Sequence, residues 1–205
     1  MARRLARSGL ARSRLLDAAL ELFAERGVDG TSLQVIADHL GVSKAAVYYQ
    51  FQTKEDMVLA VLQPFFDDVA RLVRIAESIH QPESRRDATI GGFIELVIRN
   101  RQLGHLVYGD PAVLELIRGH QELVDCRDRL HNLLLGSATD IKSRVTVAMI
   151  TAGIVGCSAD PRLRDIPEPD LHRITADCAQ HLLAVPPTHR DSVDVVDQRM
   201  HSSAE

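Results

Sequence analysis

The segment from Thr31 to Lys54 constrains the fold more tightly than any other part of the chain, because it sets two short helices, a turn and the start of a third helix. Leu33, Ile36, Ala37 and Leu40 recur at i, i+3, i+4 and i+7, the apolar stripe of a helix with one buried face. Thr31 or Ser32 can accept from a free backbone N–H at its start, and Thr31 with Gln34 has the spacing of a capping box. Gly41 supplies the left-handed residue that ends a helix cheaply. Ser43 caps the next helix after a turn of about three residues, the connection of a helix-turn-helix, and Val42 and Val47 have the spacing of a hydrophobic staple. Thr53 and Asp56 form a further capping pair, with Lys54 in the first turn of the helix they open.

In the second of these helices Val47 and Phe51 point inward at i, i+4, which leaves Lys44, Ala45, Ala46, Tyr48, Tyr49 and Gln50 at the rim or outside. Small residues at a helix start let the backbone enter a major groove about 12 Å wide, where Lys44 and Gln50 can bond to phosphates or base edges. The tyrosine hydroxyls can reach phosphate oxygens. Ser32, Gln34 and Ser43, at the helix starts, complete the set predicted to face DNA. Lys54 opposes the dipole of the helix it begins, so a nearby phosphate would account for it.

The net charge of −4 alone argues against nucleic acid, but its distribution reverses the argument. Residues 1–54 carry eight basic side chains against five acidic ones, so this end is +3 and the remainder −7. Arg3, Arg4 and Arg7 precede the first apolar periodicity and are predicted to form a mobile arm that orders against an anionic partner. No apolar run follows them, so no secretory signal is expected, and no run reaches the roughly 18 apolar residues of a membrane span. Cys126, Cys157 and Cys178 have no metal-like spacing and are expected to be reduced, buried thiols of a cytoplasmic protein.

From about Leu15 to Leu62 the chain resembles the DNA-binding domain of the TetR family of bacterial transcriptional repressors. The resemblance is carried by Ala18-Ala19, Leu22-Phe23 and Gly27, by Thr31-Ser32-Leu33 with Ile36-Ala37, and by Gly41-Val42-Ser43, Tyr48, Phe51 and Lys54-Glu55. Leu40 stands where the family commonly has alanine, a change in the core. Gln50 stands where it commonly has histidine, and glutamine can still donate a hydrogen bond. The resemblance implies an all-α fold: a three-helix DNA-binding domain followed by a helical domain that binds a small molecule and dimerises.

Beyond Lys54, the positions Val58, Val61, Leu62, Phe65, Phe66, Val69, Leu72, Val73 and Ile79 keep helical spacing, with a kink or short break expected at Pro64. A loop at residues 80–84 leads to a helix from about Arg85 that contains Gly91-Gly92, a pair costing about 1 kcal/mol each unless close packing or a ligand needs the space. Asp110-Pro111 opens a short helix, another runs from Gln121 to Leu135 and stops at Gly136, Asp140 caps one to about Gly156, and a last helix spans about 170–184. About nine helices are predicted in all. After Pro186-Pro187 the chain turns polar and is expected to be disordered to Glu205. The divisions are therefore 1–54, 55–185 and 186–205.

In the resembled family the last two long helices pair with their copies in a four-helix interface. That implies a homodimer joined through Ala148, Ala152, Val155, Leu171, Ile174, Cys178 and Leu182, none of them strongly polar. A pocket for the effector is likewise implied; Phe66, Phe93, Val97, Tyr108 and Met149 are the candidates to line it, because they are large or adaptable and lie on apolar sides of different helices. Arg99, Arg101, His105 and His120 could form a polar end. No nucleophile elbow, phosphate-cradling glycine loop or paired metal ligands occur, so no enzyme activity, cofactor or metal is expected. The expectation is a cytoplasmic, ligand-responsive regulator, usually a repressor, that binds double-stranded operator DNA as a homodimer and no membrane. Two alternatives stand beside it: a metal-responsive regulator using His120, Cys126 and His131, and a helical protein-interaction module with a basic docking end.

Overall fold

The computed structural model describes residues 2–184; the tail 186–205, and the side chains of Arg3, Arg4, Arg7, His105 and Tyr108, lie outside the described residues. Helices α1 (Ala2–Arg26), α2 (Leu33–Leu40) and α3 (Lys44–Gln50) form a head, and α4 (Lys54–Glu77) leaves it. The body comprises α4 with α5 (Pro82–Arg99), α6 (Arg101–Gly109), α7 (Pro111–Arg118), α8 (Gln121–Leu135), α9 (Ile141–Ala159) and α10 (Glu168–Ala184), with a 3-10 turn at Pro161–Leu163. No strand occurs among the described residues, and the chain is all-α. The basic segment expected to be an arm is instead the beginning of α1, which starts at Ala2.

Local chemistry fixes most of these boundaries. Ser32 caps α2 by accepting from Val35 N–H at 3.2 Å, and Gly41 ends it at φ 64°. The Thr31–Gln34 capping box does not form: Thr31 is buried and donates its hydroxyl to the carbonyls of Gly27 (2.9 Å) and Leu22 (3.3 Å), while Gln34 donates to Asp38. Thr53 and Asp56 make the reciprocal box that opens α4. That helix runs unbroken through exposed Pro64, against the expected break, because its buried face, from Met57 to Ala76, packs on α5 and α8 along its length.

The glycine pair in α5 divides by role. A Cβ at Gly92 would stand 2.4 Å from Leu72 Cδ1, so an alanine there would require the Leu72 side chain on α4 to shift. Gly91 has open space, and its carbonyl lies 3.3 Å from His172 Nε2 on α10. Helix α6 was not anticipated. The chain breaks at Asn100 (φ −109°, ψ 40°) and resumes helix at Arg101, giving ten α-helices among the described residues instead of nine. The buried apolar residues form one contiguous cluster, from Leu15 in the head to Ala179 in α10, so head and body share a core.

Candidate nucleic-acid interface and effector body

Helix α3 stands on two buried side chains. Val47 is fully buried and Phe51 nearly so, while Lys44, Ala45, Ala46, Tyr48 and Tyr49 are exposed and Gln50 is half-buried. Ser43 accepts from Ala46 N–H at 3.3 Å, so its side chain is engaged as the cap while its surroundings stay open. Tyr49 is 84% exposed, so most of its surface is open to a partner. Lys44 Nζ lies 5.4 Å from the centroid of the Tyr48 ring, a cation–π contact that holds this tyrosine against the helix. The result is a short helix whose outer face carries one cation, two phenols and two alanines; Ser32, the cap of α2, is exposed, and Gln34 is half-buried and bonded to Asp38.

Two cations in the head behave differently from expectation. Lys54 is only 27% exposed: its Nζ donates to the Val28 carbonyl at 2.9 Å and lies 3.7 Å from Asp29 Oδ1. An internal acceptor therefore answers the helix-dipole mismatch without a phosphate. Arg12 was not singled out from the sequence. Its Cζ sits 4.3 Å from the centroid of the Phe51 ring and its Nη1 donates to the Gln50 carbonyl at 3.3 Å, so an exposed guanidinium on α1 braces the C-terminal end of α3. Only its position ahead of an apolar helix face was readable; the three-dimensional meeting with Phe51 was not.

The body buries most of the residues predicted for a pocket. Phe66, Phe93 and Val97 belong to the core. Met149 does not join them: it is 62% exposed on the outer side of α9. A void of about 10 Å³ is lined by Phe65, Val97, Asn100, Leu103, Gly104, Val107 and Val155, where α4, α5, α6 and α9 meet. Arg101, one residue after Asn100, keeps Nε and Nη2 shielded from solvent with no hydrogen-bond partner, and Nε is 4.0 Å from Glu168 Oε1. Arg99 instead pairs with Glu95 in the open, and His120 places Nδ1 2.7 Å from the Leu116 carbonyl. Between head and body, a larger open groove of about 400 Å³ runs past Val28, Lys54, Val58, Leu116 and His120.

The interface candidates also separate. Val155 and Leu171 are buried within the protomer and cannot meet a second copy, because they face α6 and the core. Ala148, Ala152, Ile174, Cys178 and Leu182 are exposed, and Val145, Met149, Gly153 and Gly156 extend the α9 stripe at helical spacing. On α10 the apolar positions alternate with Arg173, Asp177 and Gln180, so its outer side is more polar than expected. Helix α9 is long and apolar enough for a membrane span, contrary to the sequence reading; its inner stripe of Val147, Ile150 and Ile154 is core. The thiols are less buried than expected, Cys126 and Cys157 half-buried and Cys178 exposed. No three His, Cys, Asp or Glu among the described residues are placed to hold a metal. His131 Nε2 meets Thr151 Oγ1 at 3.2 Å and Cys126 faces the Phe66 carbonyl, so the supposed metal trio is engaged elsewhere.

Comparison with known proteins bears on this geometry directly. Residues 15–61 match the profile of a family described as bacterial regulatory proteins, tetR family. The chain is 31% identical over 153 residues to the HTH-type transcriptional activator FasR of Mycolicibacterium smegmatis, a match that spans 73% of this chain and 69% of that one. It is 45% identical over 58 residues to the HTH-type transcriptional repressor KstR2 of Rhodococcus jostii, covering 28% of each. Among solved structures, the transcriptional regulator FadR of Bacillus subtilis in complex with stearoyl-CoA superposes with a TM-score of 0.61 at 19% identity, over 84% of this chain and 97% of that one.

Proposed function

The chain belongs to the TetR family of bacterial regulatory proteins and is a DNA-binding transcriptional regulator; on that premise we propose that two copies pair through α9 and α10, grip a two-fold-symmetric operator with their α3 helices, and release it when a small molecule enters the body. The head of residues 1–54 supplies recognition and the body of residues 55–185 supplies response and pairing. The observation that carries the reading is the outer face of α3: Lys44, Tyr48 and Tyr49 exposed on a helix anchored by Val47 and Phe51. Lys44 and the tyrosine hydroxyls serve phosphates, while Ala45, Ala46 and Gln50 lie against base edges. A cytoplasmic location follows from access to DNA.

The apolar stripe of α9 supports pairing, since Val145, Met149 and Ala152 gain burial only against another surface and small residues permit close approach. The effector enters at the void beside Asn100. A void of about 10 Å³ holds no effector, so binding requires α6 to move away from α4 and α9. The lining is apolar apart from the Asn100 amide, so the effector is a largely apolar molecule. To empty the operator it must favour the DNA-incompetent arrangement by a few kcal/mol, on the order of 3–5.

Repression is the proposed mode. The long match to a relative named an activator makes the position of the operator relative to the promoter decisive, because the same release lowers transcription from an upstream activating site and raises it from a blocking one. The test of DNA recognition is selection of bound duplexes from a random pool at near-physiological salt. An enriched motif with two-fold symmetry is expected; enrichment of none, with only weak salt-sensitive binding, would overturn the reading.

A further inference from the structure

The turn between α1 and α2 is held from two sides at a single residue. After Gly27, at φ 73°, the chain presents Val28, whose two backbone polar groups each reach a distant partner, the carbonyl also accepting from Thr31 N–H at 3.2 Å within the turn. Its N–H donates to Asp110 Oδ2 at 2.7 Å, across 82 residues of sequence, and its carbonyl accepts from Lys54 Nζ at 2.9 Å. The Val28 side chain is buried, so the peptide cannot swing without dislodging core. Asp110 is itself a junction. Its N–H donates to the Leu106 carbonyl and ends α6, while its Oδ1 accepts from Ala112 N–H at 2.9 Å and Val113 N–H at 3.4 Å and starts α7. One residue therefore joins the end of α6, through its backbone N–H, to the beginning of α7 and the base of the DNA-reading head, through a carboxylate that accepts charge-assisted hydrogen bonds from both.

We propose that Asp110 is a positioning residue: through the Val28 peptide it sets the angle of the head on the body, and it hands any displacement of α6 directly to the α1–α2 turn. This deepens the regulator reading and rests on it. Helix α6 lines the void beside Asn100 on one side and packs on α1 on the other, so an occupant that pushes α6 moves Asp110 and with it Val28. Lys54, at the first turn of α4, holds the other side of the same residue through the carbonyl of the next peptide unit. The head consequently turns about Val28 instead of following α4 alone. In a dimer, a change in that angle alters the separation of the two α3 helices, which is the quantity an operator with fixed half-site spacing reads.

Asp110→Ser separates the two jobs of the carboxylate, because serine is a good helix cap but its hydroxyl is too short to reach Val28. Hydrogen exchange on the purified full chain needs no DNA: the Val28 amide is expected to exchange about tenfold faster in the variant, with the amides of Leu114 to Ile117 in α7 unchanged. The duplex selected by the wild-type protein and the same duplex with one base pair inserted between the half-sites then report the head angle. The wild type is expected to discriminate between them, and the variant to lose most of that ratio, a readout that a merely stabilising hydrogen bond would not move. Unchanged Val28 exchange overturns the proposal, as does faster exchange with spacing discrimination intact. A wild-type protein that selects no duplex overturns the regulator reading and the positioning claim together, and the exchange measurement tells that failure apart from failure of the hydrogen bond.

Discussion

Helices α3 and α9 both leave one face without a partner in the protomer, and the two faces differ in every property that selects an occupant. The free face of α3 is short, aromatic and cationic, set on Val47 and Phe51 and braced by Arg12. That of α9 is long, apolar and small, with Val145, Ala148, Met149, Ala152, Gly153 and Gly156 outward along a helix whose other side is core. Phosphates and base edges satisfy the first and would leave the second solvated at a cost; a second copy of α9 satisfies the second. A free face thus carries information about its occupant through polarity and residue size, and in the proposed reading the two faces take different partners, DNA and a second copy.

The sharpest way to break this comparison is to place a charge on the α9 stripe. Ala152→Arg sets two guanidinium groups against each other across the proposed two-fold axis, and is expected to leave a folded monomer with operator affinity lowered by at least about 100-fold; sedimentation and a binding titration check both. On the α3 face, Tyr49→Ala is expected to weaken the selected duplex by about tenfold, while the thermal midpoint stays within about 2 °C because this ring packs on little of the protomer. Arg12→Ala removes the brace instead of a reading residue. Its effect is expected to be a loss of about threefold at every sequence with the salt slope unchanged; a changed sequence preference would contradict a purely bracing role.

A smaller effect lies behind the α9 stripe. Burial, with Arg127 adding to it and Asp128 opposing, holds the His131 imidazole below its ordinary value of 6.5. The unfolded chain then takes up the proton first, so stability falls as pH drops from 6.5 toward the lowered native value. His131→Gln is expected to remove that acid-side loss while keeping a hydrogen-bond partner for Thr151. Thermal unfolding at about pH 7.5 and about pH 5.5 measures the difference, which should be smaller in the variant.

The head was largely legible because its signals are local. Ser32, Gly41, Ser43 and the Thr53–Asp56 pair act within a few residues of themselves, and the inward turn of Val47 and Phe51 follows from helical period alone. Lys54 and Arg12 escaped that reading, since their partners, Val28 and Phe51, are brought to them by the packing of three helices. In the body, period showed that α9 and α10 are helices but not which stripe faces out. Val155 and Leu171 look like Ala152 and Ile174 in composition, and only the packing of α6 and α5 against them decides that they are inside. The same blindness placed Met149 in a pocket. Helix α6 was missed because no proline or glycine at residues 99–101 separates it from α5: Leu103, Leu106 and Val107 continue at helical spacing, and only the backbone turn at Asn100 makes Arg101–Gly109 a separate helix.

The most direct measurement is the mass of the complex between the protein and its selected duplex, by native mass spectrometry or sedimentation, with a single half-site duplex alongside. Two chains per full duplex, and much weaker binding to the half-site, is the result expected if α3 reads DNA and α9 pairs copies. One chain per full duplex with equal affinity for the half-site would contradict the assignment of the two faces.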